Sequence, residues 1–208
     1  MLLQHSLLGV LALFATTVSP QDNSLAEVAK AFNNANIPRD LTLKFNPSVL
    51  LEVTLPQPSG GDITLKAGLQ LPRDDTAGPP RFSIRGNAGR GPFVLAAVDP
   101  DAPSPTNTSN AQVRHLLAGN FFASSGGELH PLTNTTPAIS DYRQPTPTSG
   151  LHRYVFLLFR QSPDFNDQTL VNATTPITRF NISVFADAVN LGNPIGGTFM
   201  RVAAPDAT

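Results

Sequence analysis

The chain has no cysteine and no tryptophan, and only two tyrosines and two methionines among its 208 residues. Without a thiol there is no disulfide framework, no thiolate zinc or iron–sulfur site and no cysteine nucleophile. Charge is scarce as well: acidic and basic residues make up 14 % of the chain and leave a net charge of −1, against roughly 25 % charged residues in an average soluble protein. A balance of that kind lacks the basic surplus that tracks a phosphodiester backbone, so nucleic acid is excluded as a partner. The GxSxG, GxGxxG, Walker A and HExxH motifs are missing, and with them the commonest hydrolase, dinucleotide, nucleotide and zinc-protease signatures.

What is present suffices for one folded core. Apolar residues account for 40 % of the chain, over a length that suits a single domain. The 20 prolines and 15 glycines together stay short of the ~25–30 % that marks low-complexity chains.

The opening, MLLQHSLLGVLALFATTVSP, runs apolar from Leu7 to Phe14 and then turns to the small residues Ala15, Thr16 and Thr17. This predicts a signal peptide over residues 1–21, since a transmembrane helix needs about 20 apolar residues. The mature domain is then expected over residues 22–208, secreted and without a transmembrane segment. Four N-glycosylation sequons fit export: Asn107, Asn134, Asn172 and Asn181, whereas Pro47 disqualifies Asn46. The C-terminal RVAAPDAT lacks the apolar tail of a lipid-anchor signal.

Periodicity predicts the elements. Asn23 or Ser24 can cap a helix in which Leu25, Val28, Ala29 and Phe32 share one face, ending near Asn34 because Ile37 precedes Pro38. The period then falls to two around Leu51, Val53 and Leu55, around Ile63, Leu65 and Ala67, and around Phe82 and Ile84. FVLAAV (93–98) and YVFLLF (154–159) are apolar without alternation, as central strands covered on both faces are. HLLAGNFF forms another strand. Near the C-terminus, Asn181 caps a helix with Ile182, Phe185, Ala186 and Val189 on one face and Gly192 as its stop, before GGTFMRV returns as a strand. The sum is mainly β, with about eight short strands and two short peripheral helices. Residues 125–150 form the longest stretch without a period, and loops of that length tend to be functional.

Polar residues cluster at the ends of the two most apolar strands. Asp99 and Asp101 follow FVLAAV in VDPDAPSP, His115 opens the next strand, and His152, Arg153 and Tyr154 stand at the entrance to YVFLLF. Two histidines and two aspartates permit a metal site, an acid/base hydrolase or an anion pocket. No serine or threonine stands in a recognisable nucleophile setting, which counts against hydrolysis. An anion pocket needs least, because an imidazolium stabilised by a carboxylate can bind phosphate, helped by a tyrosine hydroxyl and loop N–H groups.

FVLAAVDPDAPSP, HLLAGNF and SGLHRYVFLLFRQ, in that order, resemble the signature regions of the phosphatidylethanolamine-binding protein family. IPRDLTLKFNPSVLLEVTLP upstream and FNISVFADAVNLGNPIGGTFMRV downstream extend the likeness over roughly residues 35–203. The resemblance implies a β-sandwich-like fold with peripheral helices and a small pocket for phosphate-like anions, in a secreted member of fungal type. Matching positions place Asp99, Asp101, His115, His152 and Tyr154 at that pocket, with Pro145 in the loop before it. It further implies a binding protein for a phosphate compound or phospholipid headgroup, without a cofactor and without catalysis. The alternative is inhibition of a serine carboxypeptidase through a protein surface, as in some fungal relatives. Two departures stand out: Leu116 replaces the usual tryptophan after the first pocket histidine, and DYRQPTPTSGLH is about two residues short, with Gln144 for a glycine. Gln144 is expected to narrow the pocket mouth, and glycans on Asn107 and Asn134 to screen it.

Overall fold

The computed structural model describes residues 21–205. The expected leader therefore lies, but for Gln21, outside the described residues. Helix α1 (Leu25–Asn34) is capped by Ser24, whose side chain accepts the Glu27 N–H, and it buries Val28 and Phe32 one turn apart. Asn36, in the left-handed region at φ 54°, reverses the chain into a second helix, α2 (Ile37–Asp40). Helix α1 ends at Asn34, as expected, and α2 is an additional short helix that the periodicity did not announce. Proline fits the first turn of a helix, where its missing N–H has no partner to lose, and Ile37 and Leu41 are buried here.

The strands are β1 (Leu50–Leu55), β2 (Ile63–Thr64), β3 (Leu69–Leu71), β4 (Arg81–Arg85), β5 (Phe93–Asp99), β6 (Val113–Ala123), β7 (Leu129–Asn134), β8 (Leu151–Arg160) and β9 (Gly196–Ala203). They form one sheet in the order β2-β1-β4-β7-β6-β5-β8-β9-β3. All pairs are antiparallel except β3 with β9. Strand β7 turns the sheet back on itself: Leu129, His130 and Pro131 pair with β4, while Leu132, Thr133 and Asn134 pair with β6. The two halves thus face each other as a sandwich. This strand lies in the stretch without a period, because only Leu132 of its six residues is buried and hydropathy leaves no trace of it. The 63–67 segment is likewise shorter as a strand than its alternation predicts, though Leu65 is buried.

Both apolar runs are covered on two sides. Phe93, Leu95 and Ala97 of β5, with Phe156 and Leu158 of β8, pack against Leu51, Val53 and Ile84 of the opposing half. Val94, Ala96 and Val98, with Val155, Leu157 and Phe159, face the helices through Val28, Phe32, Ile182 and Phe185. Full burial of each such side chain contributes about 1.5–3 kcal/mol, so these strands form the rigid centre from which the site projects.

Two further helices complete the outer layer, α3 (Asp164–Asp167) and α4 (Ile182–Ala188), with a 3-10 turn at Arg73–Thr76. The helix count therefore exceeds the expected two. Asn181 caps α4 by accepting the Ser183 and Val184 N–H groups. Its C-terminus is closed by Asn190 at φ 53°, with the Leu191 N–H on the Ala186 carbonyl and the Asn190 N–H on that of Asp187. The left-handed stop is thus Asn190, two residues before the expected Gly192. Among the described residues no helix is long and apolar enough to cross a membrane.

Candidate functional site

The site sits where β5 ends and β6 and β8 begin. Antiparallel pairing of Val98 with Val155 carries Asp99 alongside Tyr154 and His152. On the other side of β5 the register shifts: Ala97 pairs with Leu116 but Val98 with Arg114, leaving His115 as the extra residue. A bulge of this kind re-aims a side chain. His115 consequently meets Tyr154 edge to face at 5.0 Å, while Arg114 lies over Phe180 of the helix-side core.

Asp99, His115, His152 and Tyr154 are all buried, and they line one cavity of about 490 Å3 together with Ala102, Pro103, Val113, Arg143, Gln144, Thr146, Pro147, Thr148 and Ile177. Its size is that of a small-molecule pocket. Asp99 has both oxygens engaged, Oδ1 by the Asp101 N–H at 2.7 Å and Oδ2 by His152 Nδ1 at 2.8 Å. His152 Nε2 lies 3.0 Å from the Ser149 carbonyl. With an acceptor at each nitrogen, the surroundings of His152 favour its doubly protonated form, which can donate on both sides. Burial alone would push its pKa down, but the hydrogen bond and charge of Asp99, the Ser149 carbonyl and Asp101 together raise it above the ordinary histidine value.

His115 is the opposite case. Burial lowers its pKa, against weaker support from the Arg143 carbonyl and Asp99. Its Nδ1 donates to the Arg143 carbonyl at 2.8 Å, leaving Nε2 without a partner among the described residues and not sealed from the cavity. The Tyr154 hydroxyl is also free among the described residues and not sealed off. Burial and the charges of Asp99 and Asp101 raise the Tyr154 pKa, so it keeps its proton and can donate.

Asp101 and Pro145 do not line the cavity. The Asp101 carboxylate instead clamps Arg153, accepting from its N–H at 2.8 Å, its Nε at 2.8 Å and its Nη2 at 2.6 Å. Arg153 Nη1 reaches the Asp40 carboxylate at 2.9 Å and the Ala35 carbonyl. The helix at Ile37–Asp40 thereby anchors the DPDAP turn. Pro145 is buried behind the wall, and Pro147 takes the lining position.

The segment without a period supplies that wall. Leu117 and Ser140 exchange two backbone hydrogen bonds, and the Arg143 N–H donates to the His115 carbonyl. Tyr142 Oη donates to the Thr76 carbonyl at 2.9 Å, and Gln144 Nε2 to the Arg73 carbonyl at 2.9 Å. Gln144 thus hangs on the 3-10 turn, and the cavity stays open beside it. The lining residues Arg143, Thr146 and Thr148 escaped the sequence reading, for which a Thr-Pro alternation is the only local signal. Among the described residues Arg143 has no carboxylate in ion-pair distance. No cluster of three or more histidine and acidic side chains suited to a metal occurs among the described residues. Asn107, Asn134, Asn172 and Asn181 are all exposed.

A model of the phosphatidylethanolamine-binding protein family matches residues 56–200. Protein FLOWERING LOCUS T of Arabidopsis thaliana is 36 % identical over 160 residues, spanning 77 % of this chain and 83 % of that protein. Among solved structures, a carboxypeptidase Y inhibitor complexed with the cognate proteinase is similar at a TM-score of 0.73 and 21 % identity, covering 86 % of this chain and 96 % of that one. A phosphatidylethanolamine-binding protein from Plasmodium vivax follows at 0.62 and 16 %, covering 84 % and 96 %. With the family model spanning more than half the chain and a relative of this identity over most of it, the chain belongs to the phosphatidylethanolamine-binding protein family.

Proposed function

We propose that this is a secreted, glycosylated, non-catalytic binding protein whose cavity takes a phosphate group, free or in a phospholipid headgroup. The observation that carries the reading is the division of labour between the two histidines. Asp99 and His152 spend their hydrogen bonds internally, and a protonated His152 offsets the Asp99 charge, so the carboxylate does not repel an anion. His115 Nε2 and the Tyr154 hydroxyl remain free at the cavity, beside Arg143. A phosphate oxygen there meets a phenol donor, a guanidinium and an imidazole that becomes a donor on taking a second proton.

Among the described residues the lining threonines make no hydrogen bond to either histidine, so neither hydroxyl is paired with a base there. Secretion and glycosylation rest on the apolar leader of the sequence and on the exposure of all four sequon asparagines. Inhibition of a serine carboxypeptidase is the second reading, favoured by likeness in fold to the carboxypeptidase Y inhibitor.

Native mass spectrometry of the protein with phosphoethanolamine and with inorganic phosphate tests the first reading. Tyr154→Phe removes one donor without emptying the core, and is expected to weaken a one-to-one adduct by about tenfold, the worth of a hydrogen bond to a charged group. No adduct with either compound at millimolar concentration overturns the anion pocket, and stoichiometric loss of carboxypeptidase activity on mixing would favour the second reading.

A further inference from the structure

A second cavity, of about 470 Å3, opens on the helical side of the sheet between the 170–181 segment and α4. Arg114 lines it and is 1 % exposed, the inner end of a wall that otherwise carries Val171, Phe180, Phe185 and Ala188. At its rim stand Leu170 and Val184, which at 56 % and 62 % are the most exposed of the protein's large hydrophobic side chains among the described residues.

Among the described residues the buried guanidinium has no counter-ion. Nε donates to Ser140 Oγ at 2.7 Å and Nη2 to the Thr175 carbonyl at 3.0 Å, while the cation lies 5.1 Å from the centre of the Phe180 ring. Nη1 is the one buried side-chain polar atom among the described residues with no hydrogen-bond partner. No carboxylate of the described residues pairs with Arg114 or lines the cavity, and the second charged lining group, Arg179, is also a cation. A charge withdrawn from water without an opposite charge is costly. Burial and the neighbouring Arg143 press the Arg114 pKa downward.

We infer that this cavity is a second ligand site, distinct from the His115 cavity, for a single-chain aliphatic carboxylate: the acid head meets the Arg114 guanidinium and the alkyl chain lies over Phe180 and Phe185 toward Leu170 and Val184. Charge complementarity selects an acid, since every charged group of the wall is positive. Ser140 and Thr175 take two of the five guanidinium N–H groups, which leaves three for the two oxygens of a carboxylate, and inorganic phosphate has no chain to lay along the apolar rim. The apolar rim accounts for the chain, whose burial also covers the two exposed side chains.

The test is calorimetric titration of the protein with decanoate and with decanol. It is run on the secreted protein before and after enzymatic removal of N-glycans, because Asn181 stands on the same wall. One-to-one decanoate binding, with decanol weaker by about thirtyfold or more, is expected for a buried charge pair. Val184→Glu alters an exposed rim position and places a like charge in the path of the ligand, so decanoate binding should fall by a similar factor with melting temperature unchanged. Arg114→Met keeps the volume, and where it folds it should level the acid and the alcohol. Excess inorganic phosphate should not compete. Absence of saturable decanoate binding, equal affinity for decanol, indifference to Val184→Glu, or displacement by phosphate would each overturn the assignment, and the last would do so while leaving the anion pocket standing.

Discussion

Asp99 and His152, 53 residues apart in sequence, share a buried hydrogen bond of 2.8 Å that ties the end of β5 to the start of β8. His152 also meets the Ser149 carbonyl at 3.0 Å, so both of its nitrogens are engaged within the framework and neither is a free donor in the cavity. His115, with one nitrogen unengaged, is the titratable group a ligand can reach.

The first expectation concerns the order of titration. In imidazole NMR spectra followed against pH, His152 should titrate above the ordinary histidine value and His115 below it. Asp99→Asn should drop the His152 value sharply, since both its hydrogen bond and its charge are lost. An inverted order, or no response to Asp99→Asn, would refute the assignment of His152 as an imidazolium.

Stability follows by linkage. The folded state raises the His152 pKa, so its contribution is complete below about pH 6.5, the unfolded value, and is lost as pH rises through the folded one. The folded state lowers the His115 pKa, so that contribution is present above about pH 6.5 and lost as pH falls through the folded value. Denaturant titrations should therefore show His152→Gln removing stability mainly at neutral and acid pH, and His115→Gln flattening the fall in stability on the acid side.

Anion binding should depend on pH with one sign. If His115 Nε2 donates to the ligand, binding takes up a proton, and affinity rises as pH falls through the His115 transition. Sulfate, which does not titrate in this range, is the ligand of choice for calorimetry in two buffers of different ionisation enthalpy. His115→Gln should abolish the proton uptake; uptake that persists in that variant would move the titrating group elsewhere.

The Arg153 clamp predicts a graded series. Asp101→Asn leaves a largely buried guanidinium with its main partner gone and should cost about 3 kcal/mol, whereas Asp40→Asn, at a more exposed carboxylate, should cost about 1 kcal/mol or less. Equal effects in chemical denaturation would contradict the clamp as described.

Gly197 in β9 offers a packing test away from both cavities. A Cβ there would stand 2.8 Å from the Phe156 carbonyl oxygen and 3.1 Å from the Phe32 ring. Both are held in the core, so Gly197→Ala should destabilise by about 1–3 kcal/mol. A neutral substitution would mean that β9 and α1 can separate without cost.

Much of this was legible in the residues themselves. Unbroken apolar runs need cover on both faces, which made β5 and β8 readable as central strands, and the helices led by Ser24 and Asn181 announced themselves through capping residues and spacing. The residues at the ends of those runs placed Asp99, His115, His152 and Tyr154 together because strand ends in one sheet converge. What stayed hidden is what does not depend on side-chain periodicity. Strand β7 buries one residue and is held by its backbone ladder. The wall at 138–150 is zipped by backbone hydrogen bonds to β6 and hung on the 3-10 turn by Tyr142 and Gln144.

The sequence by itself determined the mainly β class, the two-sided central strands and the set of polar residues at their ends, since hydropathy period and local capping are properties of neighbours in the chain. Only the tertiary structure decided which of those residues share a cavity. A one-residue register shift sends His115 to one face and Arg114 to the other. Asp101 is withdrawn by an arginine that α2 anchors from afar. Arg114 becomes a buried cation with no carboxylate to pair with among the described residues. Register, burial and long-range pairing are properties of the folded chain as a whole, and no window of sequence contains them.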